Sequence, residues 1–267
     1  MWARFRGPKS TIKKDAKPLN VDDEYARLST EARQLHPWSL LFEPHKKNIA
    51  TILDSIYTPG KSYSHDRHLK SLLNGYFEIS TEAATLCDSL LKRINHVRSD
   101  YRHIQKVLID ERLSSNDIVS ELRSLSLLFE PPFFDNPKFT WVHDEHSSML
   151  QKQQHLGCGG NNKNKWWSRK VELATKGSYI VKRDLEIMSR LVWRVHDEIE
   201  HNKGMIKLCM KKREDNFSLQ MVLKALKNNN YGFEKQVEEL QQHVYLCLFT
   251  INRVKVLVIR EILESKE

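Results

Sequence analysis

The sequence predicts an all-α protein, an elongated up-and-down bundle of long antiparallel amphipathic helices with coiled-coil-like packing. One observation is a seven-residue repeat of apolar residues, which places an apolar stripe along a helix and requires other helices to cover it. Another is the scarcity of chain-breaking residues, nine glycines and eight prolines in 267 residues, which is below ordinary usage. The third is that no segment alternates apolar and polar residues as a half-buried strand does.

The apolar repeat occurs in a central and a C-terminal segment, with steps of four and three residues. The charged fraction of 29% is expected for helices whose other faces are solvated. We predict that both stripes form the core seam of the bundle. Its members are Leu90, Ile94, Val97 and Ile104 in the central segment and Val237, Leu240, Val244, Ile251, Val254 and Val258 in the C-terminal one.

The domain organisation is predicted to be simple. Residues 1–36 contain basic residues and prolines with little apolar periodicity, which indicates a basic, mostly disordered tail. Residues 37–267 are predicted to be a single helical-bundle domain. Its segment 157–165 is rich in glycine and asparagine and is expected to be a flexible loop, because these residues interrupt every helical period.

Two short helices are expected before the central stripe. The first begins near Pro44, since proline suits a first helical turn, and it ends at the turn signal 58–60. The second covers about residues 66–76. Ser80 is then expected to cap a new helix that continues to about Asp110, because a serine hydroxyl accepts hydrogen bonds from free amides of a first turn. The apolar face of the first short helix consists of Ile49, Ile52, Leu53 and Ile56.

Two helices are expected between the central stripe and the glycine-rich loop. One lies near residues 116–129 and stops at Glu130-Pro131-Pro132, because the residue before a proline is disfavoured in helical conformation. The other runs from Asn136-Pro137 to about residue 156, again with proline in the first turn.

The long helical pattern that resumes at Trp166 contains two glycines. Gly177 and Gly204 are each expected to weaken it by about 1 kcal/mol if they are exposed. Asp215, Asn216 and Ser218 are expected to form a turn with a cap, which leads to a short helix through Leu226. The three asparagines 228–230 are expected to form the last corner before the C-terminal stripe.

Charge and cysteine content restrict the function classes. Residues 1–20 hold six lysines and arginines against one aspartate, within a chain of net charge +9. A basic tail on a domain whose positive and negative charges nearly cancel is only a weak indication of nucleic-acid binding. We therefore do not expect a nucleic-acid partner. Four cysteines without a C-x-x-C pair indicate a reducing compartment. No secretory signal core or spanning apolar run is found, so we expect a cytoplasmic location, peripheral on the plasma membrane if the chain is attached there.

No pattern identifies a catalytic, cofactor-binding or metal-ligating residue, and no small-molecule substrate is evident. Glu198 and His201 have the Glu-x-x-His spacing of di-iron bundles, but such a site needs a second pair and two further glutamates. A solvated acidic face is therefore the favoured interpretation. A metal-dependent helical enzyme remains the least favoured function. The glycine-rich loop lacks the order of a phosphate-binding loop.

Two segments combine cations with aromatic residues, as membrane-surface segments do. For the N-terminal tail, a merely solubilising role is the favoured alternative. For the second segment, packing of one tryptophan in the core explains the pattern about equally well. Against an anionic leaflet, each lysine or arginine contributes about 1 kcal/mol. The candidate membrane or partner contacts are Arg4, Arg6, Lys13, Lys14, Lys165, Trp166, Trp167 and Arg169.

Several sequence blocks resemble a plant-specific family of uncharacterised (UPF-type) proteins, relatives of the plant integrin-like and BYPASS-like proteins. The most distinctive blocks are KGSYIVKRDL at 176–185, HDEIEH at 196–201 and the C-terminal stretch 238–253. Shorter similar blocks lie at 41–44 and 80–87. The resemblance covers about residues 38–264.

What this resemblance implies is an all-helical fold without a recognised catalytic residue set or an established molecular activity. Many members hold one or two membrane segments in mid-chain, where this sequence is polar and glycine-rich, so no spanning segment is expected here. The integrin-like relatives imply, at family level, a link between the cell periphery and internal scaffolds. The resulting expectation is a non-enzymatic interaction or scaffold protein with a protein partner, acting in the cytoplasm or at the inner face of the plasma membrane. The alternative is a peripheral lipid-binding module that uses the tail and the Trp166-Trp167 region.

Overall fold

The computed structural model describes residues 63–126, 136–157 and 165–264, which form six α-helices without a strand among them. This confirms the predicted all-α fold class. The predicted tail, the first short helix and the glycine-rich loop lie outside the described residues, so their predictions remain untested. The helices are α1 (Tyr63–Ile109), α2 (Ser115–Ser126), α3 (Asn136–Gly157), α4 (Lys165–Lys211), α5 (Asn216–Asn228) and α6 (Asn230–Glu264).

The long helices α1 and α6 are antiparallel neighbours. Near the start of α1, the Lys255 ammonium donates to the Thr81 hydroxyl at 3.2 Å. Further along α1, the Arg98 guanidinium donates to Gln241 at 2.8 Å. The two helices therefore run in opposite directions, as adjacent helices of an up-and-down bundle do.

Helix α4 is the other antiparallel neighbour of α6. Arg169 pairs with Glu261 at 3.2 Å, and Arg194 pairs with Glu239 at 3.2 Å. On the remaining side, α2 and α3 both pack against α1 and α4, with Lys138 of α3 3.7 Å from Glu82 of α1. The six described helices are thus arranged as four rods, in which α2 and α3 together make the second rod.

The expected break before Ser80 is wrong, because α1 continues through it. Ser80 is fully buried, and the hydroxyl of the next residue, Thr81, donates to the carbonyl of Phe77 one turn earlier at 2.8 Å, as in a helix interior. Phe77 and Ile79, which lie inside the expected gap, are both buried. Continuing the helix places these apolar side chains in the protein interior, which outweighs the local preference of serine for a cap.

The predicted helix boundary at the three asparagines is confirmed, since α5 ends at Asn228 and α6 begins at Asn230, but the backbone there stays helical instead of forming a corner. Asn229 has helical backbone angles, φ −73° and ψ −10°, its amide donates to Ala225, and its carbonyl accepts from Phe233. Helical hydrogen bonding therefore crosses the junction, and α5 and α6 together make the fourth rod. The physical reason is tertiary, since the Asn229 side chain donates to Glu198 and Asn202 of α4.

The core of the bundle contains all ten residues of the predicted seam, each less than a tenth exposed. In the last quarter of α1, the rings of Tyr101 and Phe233 lie with their centroids 3.9 Å apart, which joins the first rod to the fourth. The apolar stripes are therefore covered by neighbouring rods. Coiled-coil packing in the strict sense stays a prediction.

Gly177 is a point of close approach between three helices. It is buried, and a Cβ atom there would overlap Cγ1 of Val254 in α6 and lie 3.0 Å from the Tyr76 hydroxyl of α1. Glycine is needed at this position because the neighbouring helices occupy the space of a side chain. Gly204, further along α4, is exposed and has nothing within 4 Å of the same position.

His146 is a buried histidine on the inner face of α3, 1% exposed. Neither ring nitrogen has a hydrogen-bond partner within the described part of the chain. Burial, and after it the nearby His143, lowers the pKa of His146 to about 4. The imidazole is therefore held neutral in the folded protein at neutral pH.

The buried imidazole makes the fold sensitive to mild acid. Because the folded pKa lies below the unfolded value of about 6.5, the unfolded chain gains protons first, and stability is lost as the pH falls from 6.5 towards 4. The free energy of unfolding should be about 2 kcal/mol lower at pH 5 than at pH 7. Urea unfolding at both pH values measures this difference. In His146→Leu, the difference in unfolding free energy between pH 5 and pH 7 should shrink by about 2 kcal/mol. If it stays unchanged, groups other than His146 cause the pH dependence.

Candidate interaction surface

Exposed apolar side chains gather at one end of the bundle. Nine large apolar residues are exposed among the described residues. Three of them, Ile109, Phe217 and Met221, are 54%, 76% and 61% exposed and line a single cavity of about 520 Å³. We call this cavity and its rim the end surface. Apolar side chains that cluster in contact with water mark interaction sites more often than single exposed ones.

The α1–α2 turn forms one side of the end surface. Helix α1 ends at Ile109, and the Leu113 amide closes the turn on the Asp110 carbonyl at 3.2 Å. Helix α2 then starts with a reciprocal cap, in which the Ser114 amide donates to the Asp117 carboxylate and the Asp117 amide donates to the Ser114 hydroxyl. This pairing satisfies free first-turn amides and fixes the direction in which α2 leaves the turn.

Helix α5 forms the other side. The cap predicted at residues 215–218 is confirmed, and the structure shows that Asp215 forms it, since its carboxylate accepts from the amide and the hydroxyl of Ser218. These hydrogen bonds lower the pKa of Asp215, so the cap stays ionised at neutral pH. The inner face of α5 buries its leucines, which leaves Phe217 and Met221, four residues apart, on the outer face. The buried leucines are Leu219, Leu223 and Leu226.

Two hydrogen bonds between side chains join the two sides of the end surface. The Gln220 amide of α5 donates to the Ser115 hydroxyl of α2 at 2.7 Å. The Arg213 guanidinium, from the turn before α5, donates to Asn116 at 3.1 Å. Because both bonds connect the fourth rod to the second, the apolar groups are held in one arrangement before any partner binds. Preorganisation of this kind lowers the entropic cost of binding.

The rim of the end surface carries both signs of charge. Lys224 and Lys227 line the cavity on one side, and Asp110 and Glu111 line it on the other. An apolar centre with a mixed polar rim is the usual anatomy of a protein–protein interface. The arrangement is suited to contact with apolar side chains of another macromolecule rather than to a single small anion.

The contact residues predicted from the sequence lie elsewhere. The four tail cations are outside the described residues. Lys165, Trp166 and Trp167 belong to the first turn of α4, but their side chains are outside the described part. Arg169 is exposed and pairs with Glu261 at 3.2 Å. This end of α4 is about 70 Å from the end surface at 1.5 Å per residue, so the two groups form no common site.

A buried polar cluster in the middle of the bundle is not suited to catalysis. A hydrogen bond with Cys87, then burial, then the charge of Asp184 raise the pKa of Cys247 well above that of a free thiol. His243 bonds the backbone carbonyl of Asp184 at 3.1 Å, and burial lowers the pKa of His243. Both cysteines and Asp184 are fully buried. A protonated thiol without access for a substrate is a poor nucleophile.

The Glu-x-x-His pair is not assembled into a metal site. Glu198 accepts a hydrogen bond from Asn229 at the α5–α6 junction, while His201 is exposed. Within residues 63–126, 136–157 and 165–264, no group of three or more histidine, cysteine or acidic side chains is placed to hold a metal ion. In the same ranges, none of the helices combines the length and the apolar character needed to cross a membrane.

Sequence reasoning missed the end surface, although a signal for it is present. Phe217 and Met221 are four residues apart in α5, as are Leu219 and Leu223, and both pairs have helical spacing. On a short surface helix, only one of the two apolar pairs can face the protein core. Periodicity alone does not say which pair is left outside, because that depends on where α1 and α2 lie.

Comparison with curated proteins finds plant relatives for about a third of the chain. UPF0496 protein 2 of rice, Oryza sativa subsp. indica, is 34% identical over 113 residues, 36% of this chain and 28% of the rice protein. A UPF0496 protein of Arabidopsis thaliana is 39% identical over 92 residues, 34% of this chain and 23% of the relative. A second Arabidopsis UPF0496 protein is 27% identical over 96 residues.

The chain spans only about a quarter of the length of the curated relatives it matches. No family model matches the sequence, and no solved structure does. The relation to integrin-like and BYPASS-like proteins that the sequence suggested stays a prediction. Over the matched third, the homologues of this chain are plant UPF0496 proteins, an uncharacterised family.

Proposed function

We propose that this chain is a non-enzymatic interaction protein of the UPF0496 type, which binds a partner protein through its end surface. The observation that carries the proposal is the gathering of Ile109, Phe217 and Met221 around one cavity. Burying such side chains against a partner releases about 25 cal/mol for each Å² of apolar surface. Aromatic and methionine side chains are also enriched in interfaces.

The length of the bundle supports a scaffold role. Helices α1 and α4 each have 47 residues, about 70 Å at 1.5 Å per residue. The end surface lies at one end of α4, and the cationic, tryptophan-containing segment 165–169 begins its other end. Partners bound at the two ends would be held apart by the length of the rods. This arrangement fits a linker in the cytoplasm or at the inner face of the plasma membrane.

The substitution Phe217→Asp tests the proposal. The side chain is 76% exposed, so the protein should fold as before, with unchanged helix content by circular dichroism. In plant cells, proximity labelling should lose at least one strongly labelled protein about tenfold or more, because a carboxylate at the centre of an interface is desolvated without a partner. The decisive measurement is quantitative mass spectrometry of the labelled proteins.

The matched control is Val256→Asp. Val256 is an exposed apolar residue of α6, 42% exposed, outside the end surface. It should leave the labelling pattern intact. The proposal fails if Phe217→Asp leaves every labelled protein unchanged, or if both variants lose the same ones.

A peripheral lipid-binding function is the second candidate, and one observation favours it. Lys211, Lys212 and Arg213 are exposed in succession just before Phe217, and cations beside an exposed aromatic residue suit an anionic bilayer. Sedimentation with anionic vesicles separates the two functions. Salt-sensitive binding to vesicles, together with an unchanged labelling pattern in Phe217→Asp, would favour the lipid function over the protein partner.

A further inference from the structure

The charges on the rim of the end surface are arranged so that one copy of the chain complements another. Acidic side chains lie on the side where α1 ends, and lysines of α5 lie on the other side. A two-fold axis through the cavity brings each side of one copy against the opposite side of the other, as a symmetric dimer interface requires. We propose that a second copy of this chain is the partner at the end surface, a proposal that rests on the function proposed above.

Helix α5 (Asn216–Asn228) sets the positions of these charges. Its first half is held beside the α1–α2 turn, because the Gln220 amide donates to the Ser115 hydroxyl at 2.7 Å. Glu111 belongs to that turn and therefore lies towards the beginning of α5. Lys224 and Lys227 belong to its second half. An axis that reverses the direction of α5 thus brings the lysines of each copy to Glu111 of the other.

The charges that meet across this axis are available in the single chain. Glu111 and the two rim lysines are exposed, and none of the three forms an ion pair within the part of the chain that the structure describes. Asp110 differs from Glu111, because its carboxylate already accepts from the amide and the guanidinium of Arg112. The cations 211–213 do not line the cavity. Glu111 is therefore the acidic group that is free to pair with a second copy.

The apolar centre of the end surface lies between the charges. Phe217 and Met221 are exposed on the outer face of α5, and Met221 is near the middle of this helix. When two antiparallel α5 helices cross near Met221, Phe217 of one copy lies opposite Lys224 of the other. A lysine stem covers apolar surface while its ammonium group reaches past it, so Lys224 packs on the ring and extends towards Glu111.

This pairing lengthens the scaffold. Reversing the direction of α5 also reverses the rods it packs along, so the two bundles point in opposite directions and overlap only near the end surface. Each bundle is about 70 Å long, which places the beginnings of the two α4 helices on the order of 100 Å apart.

Charge reversal on the two sides of the rim tests the dimer in the full chain. Lys224→Glu with Lys227→Glu makes both sides acidic, and Glu111→Lys makes the opposite side basic as well. Each variant alone should dimerise at least about tenfold more weakly than the unmodified chain, because like charges meet across the axis. An equal mixture of the two variants should restore the original dissociation constant to within about threefold, because opposite charges meet again. Analytical ultracentrifugation up to about 100 μM, where even a weak dimer forms, measures these constants.

The matched control is Lys92→Glu with Lys152→Glu. It reverses the same amount of charge at exposed positions outside the end surface and should leave the dissociation constant unchanged. A monomeric unmodified chain would overturn the proposal. So would variants that dimerise as well as the unmodified chain, or a mixture that dimerises no better than its separate components.

The dimer and the proposed function can fail separately. If the unmodified chain is monomeric while Phe217→Asp still loses a labelled protein in plant cells, the partner is a different protein, and only the dimer is refuted. If neither is observed, both are refuted. If the dimer forms, an epitope-tagged second copy expressed with the labelling protein should be among the proteins lost in Phe217→Asp.

Discussion

Leu240→Asp should abolish cooperative folding of the protein. Leu240 is fully buried on α6, and losing a buried leucine side chain costs about 2–5 kcal/mol on its own. A carboxylate without a partner in the same place adds several kcal/mol, so the sum approaches the whole stability of an ordinary domain, about 5–15 kcal/mol. Circular dichroism at 222 nm during urea unfolding measures the loss.

The control for this prediction is Leu263→Asp, the same substitution on the same helix. Leu263 is 46% exposed, and its replacement should change the free energy of unfolding by less than about 1 kcal/mol. Comparable stability of the two variants would show that the stripe of α6 is not enclosed by the other rods.

Gly177→Val should destabilise the protein by about 3 kcal/mol, the upper end of the range for overpacked cores. A Cβ atom at this position already overlaps the Val254 side chain, and a β-branched side chain adds two methyl groups to the same space. Val254 is a stiff neighbour, since β-branched residues in helices keep one rotamer. We expect α4 to shift away from α6, which weakens the packing between them. The loss of stability is measured as a lower midpoint of urea unfolding.

Gly204→Val separates this packing effect from helix propensity. Gly204 lies on the same helix with open space around it, and valine forms helices slightly better than glycine. The substitution should therefore be neutral or stabilising by a few tenths of a kcal/mol. If both valines had the same effect, close approach of the helices at Gly177 would not be its cause.

The local predictions failed where a tertiary contact overrides a local preference. The cap of α5 was predicted correctly within residues 215–218, because the hydrogen bonds of the capping Asp215 involve only the next few residues. Ser80 was wrongly expected to begin a helix, because its burial by neighbouring rods is not encoded in its own segment. Asn229 was wrongly expected to turn the chain, because its partners Glu198 and Asn202 are about thirty residues away.

The sequence by itself determined the helical class and which residues of each stripe face inward, because periodicity and caps act within a few turns of one helix. Tertiary structure alone decided that the helices of the described residues make four rods, that Gly177 permits close approach, and that Phe217 and Met221 remain exposed. Each of these depends on which helices become neighbours. That choice is made by contacts between segments far apart in the chain.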